Sequence, residues 1–305
     1  MKLNTNLTQL CTILLLTIST VTIVFASNES FSLSLPGCKN TCGDVKIPFP
    51  FGISDSSIPN QGPCYLEPKF ELICENDTKL FSDKLQVSNI SVVEGQVEVW
   101  FFVSSYCGSE DTTHPFLDST SGVSISPREN KFLTVGCNSM GFLTSIYDKD
   151  TFYTGCLTLC DGTRNKIENG TCSGIGCCQV DIPPMMRNIT IQSSNILNST
   201  EYLGLGCSHS FVVKNGFYKF NVSHLDNFPY ESLPLILDWS VGSKDCSASK
   251  IEDGYACKNN SVCDDKDIDF GYRCKCKDRY EGNPYHPDGC KGNFLHLLLN
   301  INLFM

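Results

Sequence analysis

The stretch "CSGIGCCQVDIP", from Cys172 to Pro183, carries three thiols within seven residues, two of them adjacent at Cys177 and Cys178. The whole chain of 305 residues has nineteen cysteines. Cysteine at this density restricts the fold to a metal-held domain or to one held by disulfides in an oxidising compartment. The surroundings of the cluster speak against metal, and no metal site or cofactor is expected. No histidine lies near Cys172, Cys177 and Cys178, and the five histidines (His114, His209, His224, His286, His296) show no zinc-ligand spacing with cysteine. No C-x-x-C redox pair occurs. A direct bridge between Cys177 and Cys178 is strained, because neighbouring Cα atoms stand about 3.8 Å apart and disulfides prefer roughly 4.4–6.8 Å. Adjacent side chains on an extended segment point to opposite faces. The two thiols are therefore expected to pair with different, distant partners and to staple two layers.

The N-terminus identifies the compartment. Lys2 is followed by an apolar stretch from Ile13 to Phe25, and then by "VFASNES", with small Ala26 and with Val24 two positions before it. Residues 1–26 read as a secretory signal peptide. The apolar stretch is shorter than the roughly 20 residues that span a bilayer. Cleavage removes Cys11 and leaves 19 − 1 = 18 cysteines, an even number as full pairing requires. Eight N-x-S/T sequons after residue 26 agree with passage through the secretory pathway: Asn28, Asn76, Asn89, Asn169, Asn188, Asn198, Asn221 and Asn259. The formal charge of −10 argues against a nucleic-acid partner, which needs a basic face. An acidic polymer would need a local basic patch or bridging cations.

From Pro36 to Gly242 the chain shows little helical periodicity. Short runs such as "QVEVWFFV" (Gln96–Val103), "KFLTVGC" (Lys131–Cys137) and "FVVKNGFYKFNV" (Phe211–Val222) read as strands. Asn215-Gly216 inside the last run predicts a hairpin. "KIPFPFG" (Lys46–Gly52) alternates proline with phenylalanine, which predicts an irregular or edge segment with packed rings. Trp100 and Trp239 sit in apolar runs and are expected in the core. Twelve cysteines fall in this block, enough for six bridges whose connectivity the spacing leaves open. The fold class is therefore mainly β and disulfide-rich. No catalytic residues stand out: there is no G-x-S-x-G elbow, Ser208-His209 reads as a loop beside Cys207, and no carboxylate pair is singled out.

Residues 246–290 are more specific. Six cysteines (Cys246, Cys257, Cys263, Cys274, Cys276, Cys290) fall in 45 residues, too little chain for an apolar core without bridges. With "GYRCKC" and the Gly/Pro turns of "RYEGNPYHPDGC", the block resembles an EGF-like module. That resemblance implies the pairs Cys246–Cys263, Cys257–Cys274 and Cys276–Cys290. Some such modules bind calcium through acidic residues ahead of the first cysteine. Here only Asp245 is close, and Asp264, Asp265, Asp267 and Asp269 read as a solvated acidic loop.

Six ordered motifs carry a wider resemblance: "PGCKNTCGDVKIPFPFG", "NKFLTVGCNS", "YTGCLTLC", "CSGIGCCQVDIP", "LPLILDWSVG" and "EGNPYHPDGC". From Pro36 to Cys290 the chain resembles the ectodomain of plant wall-associated receptor kinases. The resemblance implies a galacturonan-binding cysteine-rich domain at residues 36–107, a second cysteine-rich segment at 108–242 and the EGF-like module at 246–290. It implies a secreted wall protein that binds pectin or oligogalacturonides, with cell-wall proteins as a further class of partner, acting through the EGF-like module. Galacturonate carboxylates need cationic or hydrogen-bonding partners, and Lys39, Lys46 and Lys69 of the first segment are the candidates. Residues 291–305 depart from the family. They contain no kinase motif and no span-length apolar helix, so neither kinase activity nor a membrane anchor is expected of this chain. This tail reads as a retained intron or a truncated gene model.

The secreted protein is expected to begin at Ser27. Mass spectrometry of its N-terminal peptide tests this, and recovery of Met1 or of the Ile13–Phe25 stretch on the secreted form contradicts it.

Overall fold

The computed structural model describes residues 33–54, 62–108, 112–118, 123–147, 150–160, 167–196, 206–251, 253–266, 268 and 270–292. The signal peptide, the tail, Asn28, Asn198, Asp267 and Asp269 lie outside these residues. The regular structure of the described chain is almost entirely strand, with short turns and loops between. The first ones are β1 (Thr41–Cys42), β2 (Val45–Lys46), β3 (Ile73–Glu75), β4 (Lys79–Ser82), β5 (Leu85–Ser91), β6 (Gln96–Phe102), β7 (Ser104–Tyr106), β8 (Phe116–Leu117) and β9 (Val123–Ile125). Next come β10 (Asn130–Val135), β11 (Ser139–Tyr147), β12 (Asp150–Thr158), β13 (Cys177–Asp181), β14 (Ile189–Asn195), β15 (Ser208–Lys214) and β16 (Ser232–Trp239). The last module adds β17 (Ser261–Asp264), β18 (Arg273–Cys276), β19 (Tyr280–Gly282) and β20 (Cys290–Gly292).

Three larger antiparallel sheets result, ordered β3-β4-β5-β6-β16-β9, β13-β10-β15-β7 and β12-β11-β14-β8, with two-stranded ribbons at β1-β2, β17-β18 and β19-β20. Alternation explains the six-stranded sheet. Val97, Val99 and Phe101 of β6 are buried, as are Leu233, Leu235, Leu237 and Trp239 of β16. Gln96, Glu98, Trp100 and Phe102 take the opposite face of β6. The sheet joins β3–β6 to β9 and β16, so residues before and after Cys107 share one layer. Asn130 at the start of β10 ties a second sheet to it. The Asn130 side chain donates to the carbonyls of Ser126 (2.7 Å) and Ile236 (2.8 Å) and accepts from the Ile236 amide (2.9 Å). A buried asparagine thus satisfies backbone groups of β16 that no strand covers.

"KIPFPFG" is irregular, with Ile47, Phe49 and Phe51 buried. The rings of Phe51 and Phe70 meet Trp239 edge-on at centroid distances of 5.3 and 5.5 Å. Tyr285 of the last module lies 5.5 Å from the same indole. Asn283 donates to the carbonyls of Leu33 (3.2 Å) and Phe49 (2.5 Å), and the Tyr285 hydroxyl accepts from the Cys274 amide (2.8 Å). The motif "EGNPYHPDGC" is therefore the docking face of the last module on the N-terminal segment.

The structure pairs Cys246 with Cys263, Cys257 with Cys274 and Cys276 with Cys290. Upstream it pairs Cys38–Cys64, Cys42–Cys74, Cys107–Cys207 and Cys137–Cys160. At the vicinal pair, Cys178 bonds Cys156, which ties β13 in one sheet to β12 in another. Cys177 does not reach a distant partner as expected. It bonds Cys172, five residues back. Gly174 and Gly176 sit at φ 104° and 71°, a region that side chains disfavour, and there they fold the loop back on itself. The Gly174 amide donates to the Cys177 carbonyl at 2.8 Å and closes that loop.

Two further expectations are corrected. Asn215-Gly216 forms a turn, but Tyr218–Phe220 does not return as a strand. β15 already pairs with β10 along its length and with β7 at its start. The aromatic run instead enters a second core, where Phe211, Tyr218, Phe228 and Tyr230 pack together. Trp100 is not in the core; it is half-buried on the outer face of β6, 6.3 Å from Phe217. Its place in the alternation, not its hydrophobicity, decided this.

His209 stacks on Phe228 at 4.4 Å, with its Nδ1 2.9 Å from the Ser105 hydroxyl. Burial pushes its pKa down from 6.5 to about 4, and burial also lowers that of His224. Between these pH values the unfolded chain binds a proton that the folded chain does not. Stability is therefore present above pH 6.5 and is lost as pH falls towards 4. His209→Gln is expected to flatten the change in urea midpoint between pH 7 and pH 4.5; an unchanged slope contradicts this.

Loop closure ranks the bridges. Removing Cys107–Cys207, separated by 100 residues, is expected to cost about 4.7 kcal/mol, and removing Cys172–Cys177, separated by 5, about 2 kcal/mol. Denaturant midpoints of the paired Cys→Ser variants measure the difference, and equal losses contradict it.

Candidate functional site

The inner face of the six-stranded sheet does not close completely. A cleft of about 800 Å³ remains between β6 and the segment Thr113–Asp118. Val97, Val99 and Phe101 form its apolar floor, and Ser105 and Thr113 add hydroxyls. Its cationic side chains are Lys69 and Lys84, and His114 and His209 also line it.

Local structure explains how the two lysines arrive there. Lys69 belongs to a 3₁₀ turn, Pro68–Phe70, begun by Pro68, whose fixed φ suits a first helical position. The Lys69 ammonium lies 3.1 Å from Glu67 and 5.2 Å over the Phe70 ring. The other oxygen of Glu67 accepts from the Gly242 amide at 2.9 Å. Lys84 follows Asp83, which takes φ 50° in the tight turn between β4 and β5. Asp83, Asp118 and Glu231 also line the cleft, so its positive groups stand against nearby carboxylates.

The three lysines named from sequence do not converge. Lys69 lines the cleft. Lys39 is held in an ion pair with Asp77, and Lys46 is exposed on β2; neither lines the cleft. Lys84 escaped the sequence reading because nothing in "FSDKLQV" marks one lysine above the others. The turn at Asp83 was the available signal. The six described sequon asparagines, Asn76, Asn89, Asn169, Asn188, Asn221 and Asn259, are all exposed, and none lines the cleft. Asp264 pairs with Lys275 at 2.5 Å and Asp265 accepts from the Cys246 amide at 2.9 Å, so both carboxylates already have protein partners. Among the described residues there is no group of three or more side chains suited to hold a metal ion.

A second cleft, about 820 Å³, separates the last module from β6 and β16. It holds Arg128, Arg187, Lys266, Arg273 and Lys275. Two of these cations are paired within the protein, Arg273 with Asp238 and Lys275 with Asp264. The Arg273 guanidinium donates to the carbonyls of Trp239 (2.7 Å) and Glu94 (3.1 Å) and lies 3.8 Å from Asp238. It reads as a polar seam between module and sheet.

A family model described as wall-associated receptor kinase galacturonan-binding matches residues 38–100. These residues contain Lys69, Lys84 and the floor strand β6 as far as Trp100. The chain is 35% identical to wall-associated receptor kinase 2 of Arabidopsis thaliana over 263 residues, covering 83% of this chain and 34% of that protein. It is 34% identical to wall-associated receptor kinase 5 over 269 residues and to wall-associated receptor kinase 3 over 275 residues, again over 83% of this chain. The chain spans about a third of the length of these curated relatives. No solved structure matches. Among the described residues no helix is long and apolar enough to cross a membrane. Along 83% of its length the chain matches an ectodomain of the wall-associated receptor kinase family.

Proposed function

We propose that this chain is a secreted, glycosylated, non-catalytic polysaccharide-binding protein that contacts de-esterified homogalacturonan in the pectin of the cell wall. One observation carries the reading: the galacturonan-binding match at residues 38–100 includes the two lysines and most of the floor of the cleft beneath β6. A uronate carboxylate accepts charge-assisted hydrogen bonds from ammonium groups. Lys69 retains donors beyond the one facing Glu67, since an ammonium has three. The apolar floor suits the carbon face of a sugar ring, and Ser105 and Thr113 offer hydroxyls to its rim. With a net charge of −10, the chain repels a polyanion on average. Attraction must then be local and short-ranged.

A second reading, protein contact or a decoy role through the EGF-like module, draws on the exposed Ile251, Val262 and Phe270 there.

Lys69→Ala with Lys84→Ala is expected to lower affinity for short, fully de-esterified oligogalacturonides by at least tenfold, about 1.4 kcal/mol. Calorimetry on the secreted protein measures this. Lys39→Ala is expected to have a smaller effect, because Asp77 already holds that ammonium. Binding should weaken as salt shortens the Debye length from about 10 Å at 0.1 M to about 3 Å at 1 M. Binding abolished by a chelator but indifferent to the lysine changes assigns the contact to bridging calcium. No binding to any oligogalacturonide, with capture of wall proteins, favours the second reading.

A further inference from the structure

The outer face of the sheet β12-β11-β14-β8 carries an apolar surface that the cleft does not use. Its inner face is packed, with Leu143, Ile191 and Cys156 buried. Alternation therefore turns the partners of these residues outward. On that side Phe116 is 70% exposed, Tyr153 69%, Ile146 51% and Leu157 46%. Exposed apolar side chains gathered on one sheet face, rather than scattered singly, are a feature of interaction sites.

The registers make this face orderly. Tyr153 pairs with Thr144, Thr144 with Thr190, and Thr190 with Phe116. One row thus crosses all four strands with an aromatic at each end and two hydroxyls between them. Three strand spacings make its width about 14 Å. In the adjacent row Phe142 stands between Gly155 and Gln192. A Cβ added at Gly155 would come 3.1 Å from the Phe142 ring, so the missing side chain lets that ring lie against β12. Aromatic rings interleaved with threonine and glutamine offer apolar faces beside hydrogen-bonding groups.

Charge and continuity indicate the occupant. None of the outward residues of these four strands is charged, in a chain of net charge −10. Phe116, at one end of the row, also lines the cleft that holds Lys69 and Lys84. A polymer leaving that cleft over Phe116 meets the row of rings and hydroxyls. We propose that this sheet face is a second subsite for uncharged, methyl-esterified galacturonate units of the same polymer. The proposal rests on the galacturonan reading of the cleft: lysines there take free carboxylates, and the sheet face takes rings whose carboxylates are masked.

The test uses Tyr153→Ser with Leu157→Ser, two exposed positions that do not line the cleft, and two probes. One probe is a short, fully de-esterified oligogalacturonide; the other is a long galacturonan with methyl-esterified blocks. Affinity for the long probe is expected to fall about tenfold while affinity for the short one stays unchanged. Unchanged affinity for the long probe overturns the subsite and leaves the cleft standing. Failure of the unmodified protein to bind the short probe overturns the cleft reading instead. Light scattering that finds a dimer, converted to monomer by the same substitutions, assigns the face to a second copy of the chain and overturns the proposal.

Discussion

Trp239 holds the molecule together. It is fully buried at the end of β16, with Phe51, Phe70 and Tyr285 around it. These rings come from the proline-rich N-terminal segment, the 3₁₀ turn, the central strand and the last module. Burial of large aromatics supplies most of the energy at such a junction, and edge-on geometry adds about 0.5–1.5 kcal/mol per pair. Among the described residues the indole nitrogen has no hydrogen-bond partner. Leaving one such buried donor unmatched costs about 1–3 kcal/mol, which four packed rings can outweigh. Asn283 adds direction to this otherwise non-directional contact, because its amide reaches the carbonyls of Leu33 and Phe49. The Lys69 side of the cleft inherits its position from the same cluster, since Lys69 immediately precedes Phe70.

Disulfides do a different job. The bridges at Cys38–Cys64 and Cys42–Cys74 restrict the segment that leads into the cleft wall. Cys156–Cys178 joins two sheets whose strands share no ladder. Cys172–Cys177 closes a small loop and thereby sets where β13 begins. Together they restrict the unfolded chain, which matters for a protein built from short strands and long connections.

Charge organises the ligand reading. The chain is acidic, and the galacturonan-binding match falls on a segment with carboxylates of its own, such as Asp44, Glu67 and Asp83. On the function proposed above, a polyanion is held where ammonium groups meet an apolar floor, because local contacts gain strength where water is partly excluded. The uncharged sheet beyond Phe116 offers the complementary environment, one in which a free carboxylate gains nothing and a masked one loses nothing.

Much of this was legible in the sequence because it depends on local chemistry. Strand runs at Gln96–Phe102 and Asn130–Val135 follow from alternation and β-branched or aromatic composition. Irregularity at Lys46–Gly52 follows from two prolines that cannot donate. The density of thiols announced a disulfide-held β protein, and the cysteine order of the last module was readable from its resemblance. Tertiary structure decided what depends on neighbours distant in the chain. Asn215-Gly216 makes its turn, but β15 already has partners, so the following aromatics pack instead of pairing. The outward phase of β6 leaves Trp100 half-exposed, while Trp239, in a similar run, became the centre of the core. Cys177 found a near partner because two glycines with positive φ folded the loop before it. Which lysines line a cleft depended on one 3₁₀ turn and one β-turn, whose placement is a property of the assembled sheets; sequence specifies the side chains available to a ligand, but only packing sets which of them share a space.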